Sequence, residues 1–497
     1  MAVPRPEQNN DEKTLHLGSN TDEQVASERC KGFLGFYYHP LFQICMLGFV
    51  CFMCPGMFNA LSGLGGGGQV DARTASNANT ALYSTFAFFS FFAGSINNTL
   101  GPRNTLMIGT VGYALFIGSF LADNIHPTTA GPFVVAAGAI LGICAAFLWT
   151  AQGSLVLSYP TEAEKGKYIG VFWAIFNLGG VVGAAVSLGQ NFKSENLPSI
   201  SKVGNGTYIG FLILTLIGVC IPRLMADPKK MIRTDGTKVE TYRHPSWKSE
   251  IYGLWLALRT DPMILLLFPM FYASNYFYTW QFNDYNQALF DIRARSLNNF
   301  VYWLSQIVGS LAIGALVLDQ AGCQRRSRAF AGWAILFAMV FIVNAWGYSY
   351  QKTYTRESVA LLTQKMDIHD HGYLGHVWLM IFCGLFDAMW QTTAYWLMGA
   401  MSNDPSKLAV FTGFYKSIQS AGAAGVWRAD AVGIPYMNIF LSSWCLTAGG
   451  LIFALPMIYL RVKNHTELKE EALYGASHSF RQMVVLTFPQ GTCGGNG

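Results

Sequence analysis

The stretch FAGSINNTLGPRNT, residues 92–105, lies between two long apolar runs, and a related stretch, ALVLDQAGCQRR, recurs at residues 315–326. Each stretch places an amide or a carboxylate three residues before a glycine, and arginine follows. The matched positions are Asn98 with Asp319 and Gly101 with Gly322, both at an offset of 221 residues. A shared offset predicts that the chain contains two related halves, each with this connector between its second and third helices.

The composition predicts a polytopic membrane protein. Only 12% of the 497 residues are charged, whereas 52% are hydrophobic and 14% aromatic. Apolar runs of 18 or more residues are long enough to cross a bilayer, and in lipid they must be helical to satisfy their backbone groups. The predicted spans are 39–64, 76–98, 104–122, 132–156, 168–190, 206–226, 262–284, 296–318, 328–348, 374–400, 407–426 and 435–461.

The distribution of lysine and arginine predicts the orientation. With both termini in the cytoplasm, 23 of the 33 basic residues fall on the cytoplasmic side, although Arg293 and Arg295 oppose this bias. The formal charge of +5 therefore reflects topology rather than nucleic-acid binding. Of three glycosylation sequons, only the one at Asn205 falls on the outer side in this topology.

The spans divide the chain into two six-helix halves joined by a polar segment. Parallel repeats of this kind are typical of secondary transporters. The predicted domains are a disordered cytoplasmic tail (1–38), an N-terminal half (39–226), a cytoplasmic linker (227–261), a C-terminal half (262–461) and a second cytoplasmic tail (462–497).

The first connector resembles the signature between helices two and three of the major facilitator superfamily, G-x-x-x-[D/N]-x-x-G-x-R. This copy has Asn98 where an aspartate is usual, Thr99 in place of the first arginine and Pro102 in place of another. The resemblance implies an all-α membrane protein with twelve transmembrane helices and a conformational switch at the connectors. The implied switch residues are Gly101, Arg103, Asp319 and Gly322.

Further stretches resemble the Unc-ninety-three-like branch of that superfamily, especially its fungal members. They are FNALSGLGGGGQ (58–69), WTAQGSLVLSYP (149–160) and KGKYIGVFWAIFNLGGVVG (165–183). The branch also contains channel regulators and a trafficking chaperone, so the resemblance implies function only loosely.

Two charged residues within predicted spans are candidates for substrate contact or ion coupling. Asp387 lies near the middle of the tenth span and Lys416 near the middle of the eleventh. A charge at this depth costs at least about 2.5–3.5 kcal/mol and therefore requires a partner or a cavity. Their similar depth predicts a pair. Two alternatives stand: a structural ion pair, or groups that line a central cavity where Asp387 exchanges a proton or Lys416 meets an anionic substrate.

Polar and aromatic residues at membrane depth are further cavity candidates. Such residues either join helices or line a binding site with apolar walls. Those selected are Asn59, Trp149, Gln152, Asn177, Asn275, Gln281, Trp390 and Gln391.

Two loop patterns have weaker functional interpretations. The run GLGGGG (63–68) formally matches a dinucleotide fingerprint but follows a membrane helix rather than a strand, so we expect it to end the helix and form a mobile outer loop. The histidines of KMDIHDHGYLGH (365–376) suggest metal binding or pH sensing, but a solvated loop is the simpler interpretation.

No catalytic triad, zinc-hydrolase helix or Walker loop occurs, so we expect neither an enzyme nor an ATP-driven pump, and no metal or cofactor. The predicted function is secondary transport of a small molecule across a lipid bilayer by alternating access. The alternative is a non-transporting protein that regulates or escorts another membrane protein.

Overall fold

The computed structural model describes residues 32–69, 72–160, 165–192, 203–234, 236–239, 252, 255, 259, 262–318, 323–401 and 405–462. Two of the predicted switch residues, Asp319 and Gly322, lie outside the described residues, as do most of both predicted tails and much of the linker. Within the described ranges the chain is almost wholly helical, and its extended structure is confined to two isolated bridges.

Long helical segments lie where the apolar runs predicted them. They are α1 (Pro40–Gly63), α2 (Arg73–Leu100), α3 (Pro102–Ile125), α4 (Gly131–Ser158), α5 (Lys165–Asn191), α6 (Asn205–Leu224), α7 (262–287), α8 (Ile292–Leu318), α9 (Arg325–Gln351), α10 (Tyr373–Met401), α11 (Pro405–Ala431) and α12 (Tyr436–Arg461). A short helix, Arg356–Ala360, follows α9.

Nine of these segments in the described residues are long and apolar enough to cross a membrane: α1, α3 to α6, α8 to α10 and α12. The chain is therefore a multi-pass integral membrane protein, and the all-α fold class is confirmed. The other three, α2, α7 and α11, are more polar. A full set of twelve crossings remains a prediction.

If each of the twelve segments crosses once, successive helices run in opposite directions and their connections alternate between two faces. We call the face on which the described chain begins and ends, at Gly32 and Val462, the proximal face, and the opposite one the distal face. Across the proximal face, Tyr37 and Arg103 donate hydrogen bonds to the carbonyl oxygens of Leu224 and Arg223 at the end of α6. The predicted cytoplasmic side corresponds to the proximal face.

The buried apolar side chains form two clusters. One is drawn mainly from residues 44–239 and the other mainly from residues 267–462. Between them, α2 packs along α11 and α5 packs along α8. This arrangement leaves α1, α4, α7 and α10 to contribute the side chains between the halves.

The seventh segment is irregular where the others are regular. It begins as a 3₁₀ helix (Pro262–Leu267), continues as an α-helix (Phe268–Ala273) and ends as a π-helix (Thr279–Gln287). The π-helical part is rich in amide side chains, which compete with the backbone for hydrogen bonds. All nine of its residues are buried, and π-helical turns occur frequently at functional sites.

Candidate functional site

Asp387 is fully buried on α10 and accepts hydrogen bonds from two neighbouring helices and from its own. Its Oδ2 accepts from the Tyr278 hydroxyl at 2.8 Å, from the Tyr302 hydroxyl at 3.1 Å and from Gln306 Nε2. Its Oδ1 accepts from Gln391 Nε2 at 3.4 Å. Four donors from α7, α8 and α10 therefore satisfy this carboxylate, and no basic side chain among the described residues contacts it.

Lys416 on α11 has a different environment, built of aromatic rings. Its ammonium group lies 5.3 Å from the ring centre of Trp149, 5.6 Å from that of Tyr395 and 5.3 Å from that of Tyr415. It donates one hydrogen bond, to Gln419 Oε1 at 3.0 Å. Within the described part of the chain, no carboxylate lies within 4 Å of this cation.

The predicted direct pair between Asp387 and Lys416 is wrong, because amide side chains separate the two charges. Gln391, which contacts Asp387, accepts a hydrogen bond from Gln419 Nε2 at 3.2 Å, and Gln419 accepts from Lys416. Asn275 Oδ1 accepts from both glutamines, at 3.2 and 2.8 Å. We call Asp387, Gln391, Asn275, Gln419 and Lys416 the central polar chain.

Two more predicted residues lie beside the central polar chain. Gln281 Oε1 accepts from the Tyr302 hydroxyl at 3.0 Å, which connects it to Asp387 through that tyrosine. Trp390 is fully buried and donates from Nε1 to Ser274 Oγ at 3.0 Å, so it joins α10 to α7.

The first half contributes aromatic walls rather than charges. Trp149 on α4 and Trp173 on α5 stack with 6.4 Å between ring centres, and Trp173 lies 5.8 Å from Tyr395 of the second half. Gln152 is buried one turn from Trp149. The remaining two candidates, Asn59 and Asn177, are half-buried and make no hydrogen bond to another described side chain, so the structure does not bring them to the central polar chain.

The described switch residues lie at the proximal face. Gly101 ends α2 with a φ of 80°, a conformation that favours glycine. Arg103 Nη2 donates to the carbonyl oxygen of Arg223 at 2.7 Å, and a cation at this end of α6 is favoured by the helix dipole.

The sequon at Asn205 lies in the first turn of α6 on the distal face. Asn205 is exposed, and its Oδ1 accepts a hydrogen bond from Asn124 at 2.6 Å. Its glycosylation remains a prediction.

The distal face holds a second polar cluster, which the sequence did not indicate as a site. Arg295 on α8 is buried, and it donates from Nε to the carbonyl oxygen of Leu64 at 2.8 Å and from Nη2 to that of Gly65 at 2.7 Å. Asn286 and Asn299 donate to the carbonyl oxygens of Gly63 and Ala60, at 2.9 and 2.6 Å. We call these contacts the distal clamp, because they join the end of α1 to α7 and α8.

The glycine run ends α1, as expected. The expectation that it forms a mobile outer loop is wrong, because the run is packed inside the protein. Residues 65–68 are buried, and all four have positive φ, which no other residue type adopts as readily. Gly66 N donates to Asn283 Oδ1 at 2.7 Å, and the carbonyl oxygen of Gly67 accepts from the Tyr208 hydroxyl at 2.6 Å. The absence of side chains lets this segment pack into the distal clamp.

The histidine-rich loop gives no metal site. In the described residues, no group of three or more potential ligands is arranged to hold a metal ion. His376 instead stacks on Tyr350 at 3.9 Å between ring centres and shares a hydrogen bond with Tyr285. Lys365 donates to the carbonyl oxygen of Gln287 at 2.6 Å, and burial, with Arg295 nearby, lowers its pKa to about 7.

Comparison with known proteins places this architecture in a family. A family model described as the Major Facilitator Superfamily matches residues 41–426. A crystal structure of a D-xylose–proton symporter superposes with a TM-score of 0.57 over 87% of this chain and 100% of its own, at 12% identity, which shows a common fold. The fold is thus that of the major facilitator superfamily.

The relatives specify the branch. An UNC93-like protein of Schizosaccharomyces pombe is 47% identical over 441 residues, which cover 88% of this chain and 86% of the relative. UNC93-like protein 1 of Arabidopsis thaliana is 41% identical over 430 residues, which cover 86% and 92% respectively. The chain belongs to the UNC93-like branch of the major facilitator superfamily, which confirms the family predicted from the sequence.

Proposed function

We propose that this protein is a secondary transporter that carries a small molecule by alternating access, with the central polar chain as its binding site. The observation that carries the proposal is the position of Lys416 between the halves, with Trp149 of α4 on one side and Tyr395 of α10 on another. A site lined by both halves changes its access when one half rocks against the other.

The surroundings of the two charges favour an anionic substrate. Asp387 is already satisfied by hydrogen bonds, whereas Lys416 has one hydrogen bond and no carboxylate within 4 Å in the described part of the chain. A substrate carboxylate or phosphate would supply the missing counter-charge. The rings of Trp149, Trp173 and Tyr395 offer apolar walls for the rest of an organic molecule.

The distal clamp keeps the distal side of the protein closed in this state of the proposed transport cycle. Its buried hydrogen bonds hold α1 against α7 and α8, so a substrate cannot reach the central polar chain from the distal face in this state. Transport then requires these contacts to break and reform.

The proposal is tested by ligand binding and uptake. The purified protein is screened by thermal shift against aromatic carboxylates, dicarboxylates and organic phosphates, and each hit is tested for uptake into proteoliposomes. A ligand at about 100 times its Kd stabilises the native state by about 2.7 kcal/mol. We expect Lys416→Met to remove that stabilisation, and Lys352→Met, at the exposed end of α9, to retain it.

Two outcomes oppose the proposal. Equal binding to the wild type and to Lys416→Met would exclude the lysine as the anion contact. Binding without uptake of any hit would contradict transport and favour a regulatory or escort role.

A further inference from the structure

The most anomalous buried group lies at the distal face, in the π-helical part of α7. Asp284 is fully buried, and neither of its carboxyl oxygens accepts a hydrogen bond from the described residues. Its backbone carbonyl oxygen accepts from the Tyr354 hydroxyl at 3.0 Å, so the main chain is satisfied while the side chain is not. A buried ionised carboxylate without hydrogen bonds costs several kcal/mol.

A single guanidinium group serves two carboxyl groups here. Arg356 Nη2 lies 2.5 Å from Asp430 Oδ1 and 3.5 Å from Asp284 Oδ1. Asp430 is otherwise fully engaged, because its Oδ2 accepts from Ser76 Oγ at 2.6 Å and from Asn283 Nδ2 at 2.8 Å. Asp284 therefore holds only the longer, weaker contact with the shared arginine.

The other groups that face Asp284 add no positive charge. Tyr354 follows α9 and Tyr436 begins α12; both are phenols, and the Arg356 guanidinium lies 4.1 Å from the ring centre of Tyr436. In the described part of the chain, no second basic side chain lies within 4 Å of Asp284 or Asp430. With both carboxyl groups ionised, the cluster would carry one uncompensated negative charge away from water.

We propose that Asp284 and Asp430 form a proton-binding site that keeps the distal gate closed, where the distal gate means the contacts of α1 and α2 with α7, α8 and α11 at the distal face. One proton resides on the carboxyl pair in the closed state, which makes the cluster with Arg356 neutral. Because one guanidinium nitrogen lies within 3.5 Å of both carboxyl groups, the two groups compete for a single positive charge and share the proton between them. This inference rests on the proposed function in one respect: the gate belongs to a carrier.

The site is joined to the gate by hydrogen bonds between the halves. Asp430 accepts from Ser76 on α2, and Asn283, the neighbour of Asp284, donates to Asp430 and accepts from Gly66. Loss of the proton places a second negative charge beside Asp430, and the two carboxylates repel each other. Both groups lie in the second half, so the gate opens to relieve the cost of this buried charge: separation of α7 and α11 from α2 admits water to both carboxylates.

The proton balance gives the sign of the pH response. The closed gate binds one proton that the open gate releases, so rising pH favours the open gate. By linkage, one proton changes the ratio of open to closed molecules by at most tenfold per pH unit. A proton released when the distal side opens is available to couple substrate movement to a proton gradient.

The experiment measures gate distance without a substrate. Spin labels at Thr128→Cys and Leu361→Cys, exposed on the distal loops of the two halves, are introduced into the full chain in nanodiscs, in a background without other reactive cysteines. We expect the long-distance population in the wild type to rise with pH between 5 and 9, by up to tenfold per unit. In Asp284→Asn, we expect a closed gate at every pH, because the amide carries no charge.

Matched variants separate this site from other titrating groups. Asp430→Asn leaves one carboxylate for one guanidinium, so it too should abolish the pH response, whereas Asp370→Asn in an exposed distal loop should retain it. Lys365, whose pKa is about 7, would shift the gate in the opposite direction, towards the closed state at high pH, because its neutral form no longer repels Arg295.

The outcomes distinguish this inference from the proposed function. A wild-type distance that stays constant with pH, or an opening at rising pH that persists in either Asp284→Asn or Asp430→Asn, would overturn the proton site. If the gate nevertheless opens or closes with one of the screened anions, alternating access survives that result. A gate that responds to neither pH nor any anion would contradict both the proton site and transport by alternating access.

Discussion

Gln419 donates a hydrogen bond from Nε2 to Gln391 Oε1 at 3.2 Å, and this contact, together with the Asn275 oxygen that accepts from both glutamines, connects the lysine end of the central polar chain to the aspartate end. Each glutamine is bonded to one charge: Gln391 to Asp387 and Gln419 to Lys416. Neutral amides thus keep opposite charges apart within the membrane. Lys416 consequently keeps its charge available to a ligand, which a direct ion pair would have neutralised.

Replacement of Gln419 by glutamate tests that consequence. Gln419→Glu keeps the acceptor 3.0 Å from Lys416 Nζ but makes it a carboxylate, so the lysine gains an internal counter-ion. We expect anion affinity to fall at least tenfold, which corresponds to about 1.4 kcal/mol. The measurement is the ligand-induced thermal shift. Gln364→Glu, in an exposed distal loop, is the control and should bind normally; equal affinity in both variants would refute the role of Lys416.

Asp387→Asn should destabilise the protein and impair transport. The carboxylate accepts from Tyr278, Tyr302 and Gln306 through Oδ2. An amide that keeps its oxygen there turns its NH2 group towards Gln391 Nε2, so that a donor faces a donor. An unsatisfied buried donor costs about 1–3 kcal/mol. Thermal unfolding and proteoliposome uptake measure the two effects. Asp370→Asn should change neither, and unchanged stability of Asp387→Asn would show that these donors do not require a carboxylate.

Arg295→Ala should weaken the distal clamp. The guanidinium donates to two buried carbonyl oxygens, those of Leu64 and Gly65. Its loss leaves the Leu64 oxygen unsatisfied and the Gly65 oxygen with only the Gly68 amide, at a cost of about 1–3 kcal/mol. Arg428→Ala is the matched control, because Arg428 also bonds across the halves, to Asn77 at 3.2 Å, but from an exposed position. We expect a cost of no more than about 1 kcal/mol there. Thermal unfolding measures stability, and labelling of a cysteine at Ser62 reports distal opening.

The helices could be predicted from the sequence because the bilayer imposes a length and an apolar composition on each crossing. The irregular end of α7 could not, since its amides bond to residues far along the chain: Asn286, for example, donates to the carbonyl oxygen of Gly63. Periodicity within one helix contains no information about such a partner.

Only part of the candidate site could be predicted, because the hydrogen bonds between its residues also join distant parts of the chain. Depth alone selected Asp387 and Lys416, but only the structure places two glutamines between them. The sequence signal for a buried Arg295 is that this basic residue opposes the charge bias of the loops. Its partners are carbonyl oxygens about 230 positions away, and any residue type can supply those.

Lys365 provides a pH prediction of its own, from a loop outside the membrane-spanning segments. Its pKa is about 7 in the folded protein, against about 10.4 for an exposed lysine, so between these values the unfolded chain binds a proton that the folded chain lacks. Stability therefore rises as the pH increases from 7 towards 10, and below pH 7 the folded protein bears the full cost of a charged lysine near Arg295. Lys365→Gln removes that cost.

The variant should accordingly melt at a higher temperature than the wild type at pH 6, and the difference should shrink by pH 9. Lys352→Gln at the exposed end of α9 should follow the wild type at both pH values. A difference that is constant with pH would mean that the gain comes from the changed hydrogen bond to the carbonyl oxygen of Gln287 rather than from charge. The pH dependence thus separates the two physical effects of a single substitution.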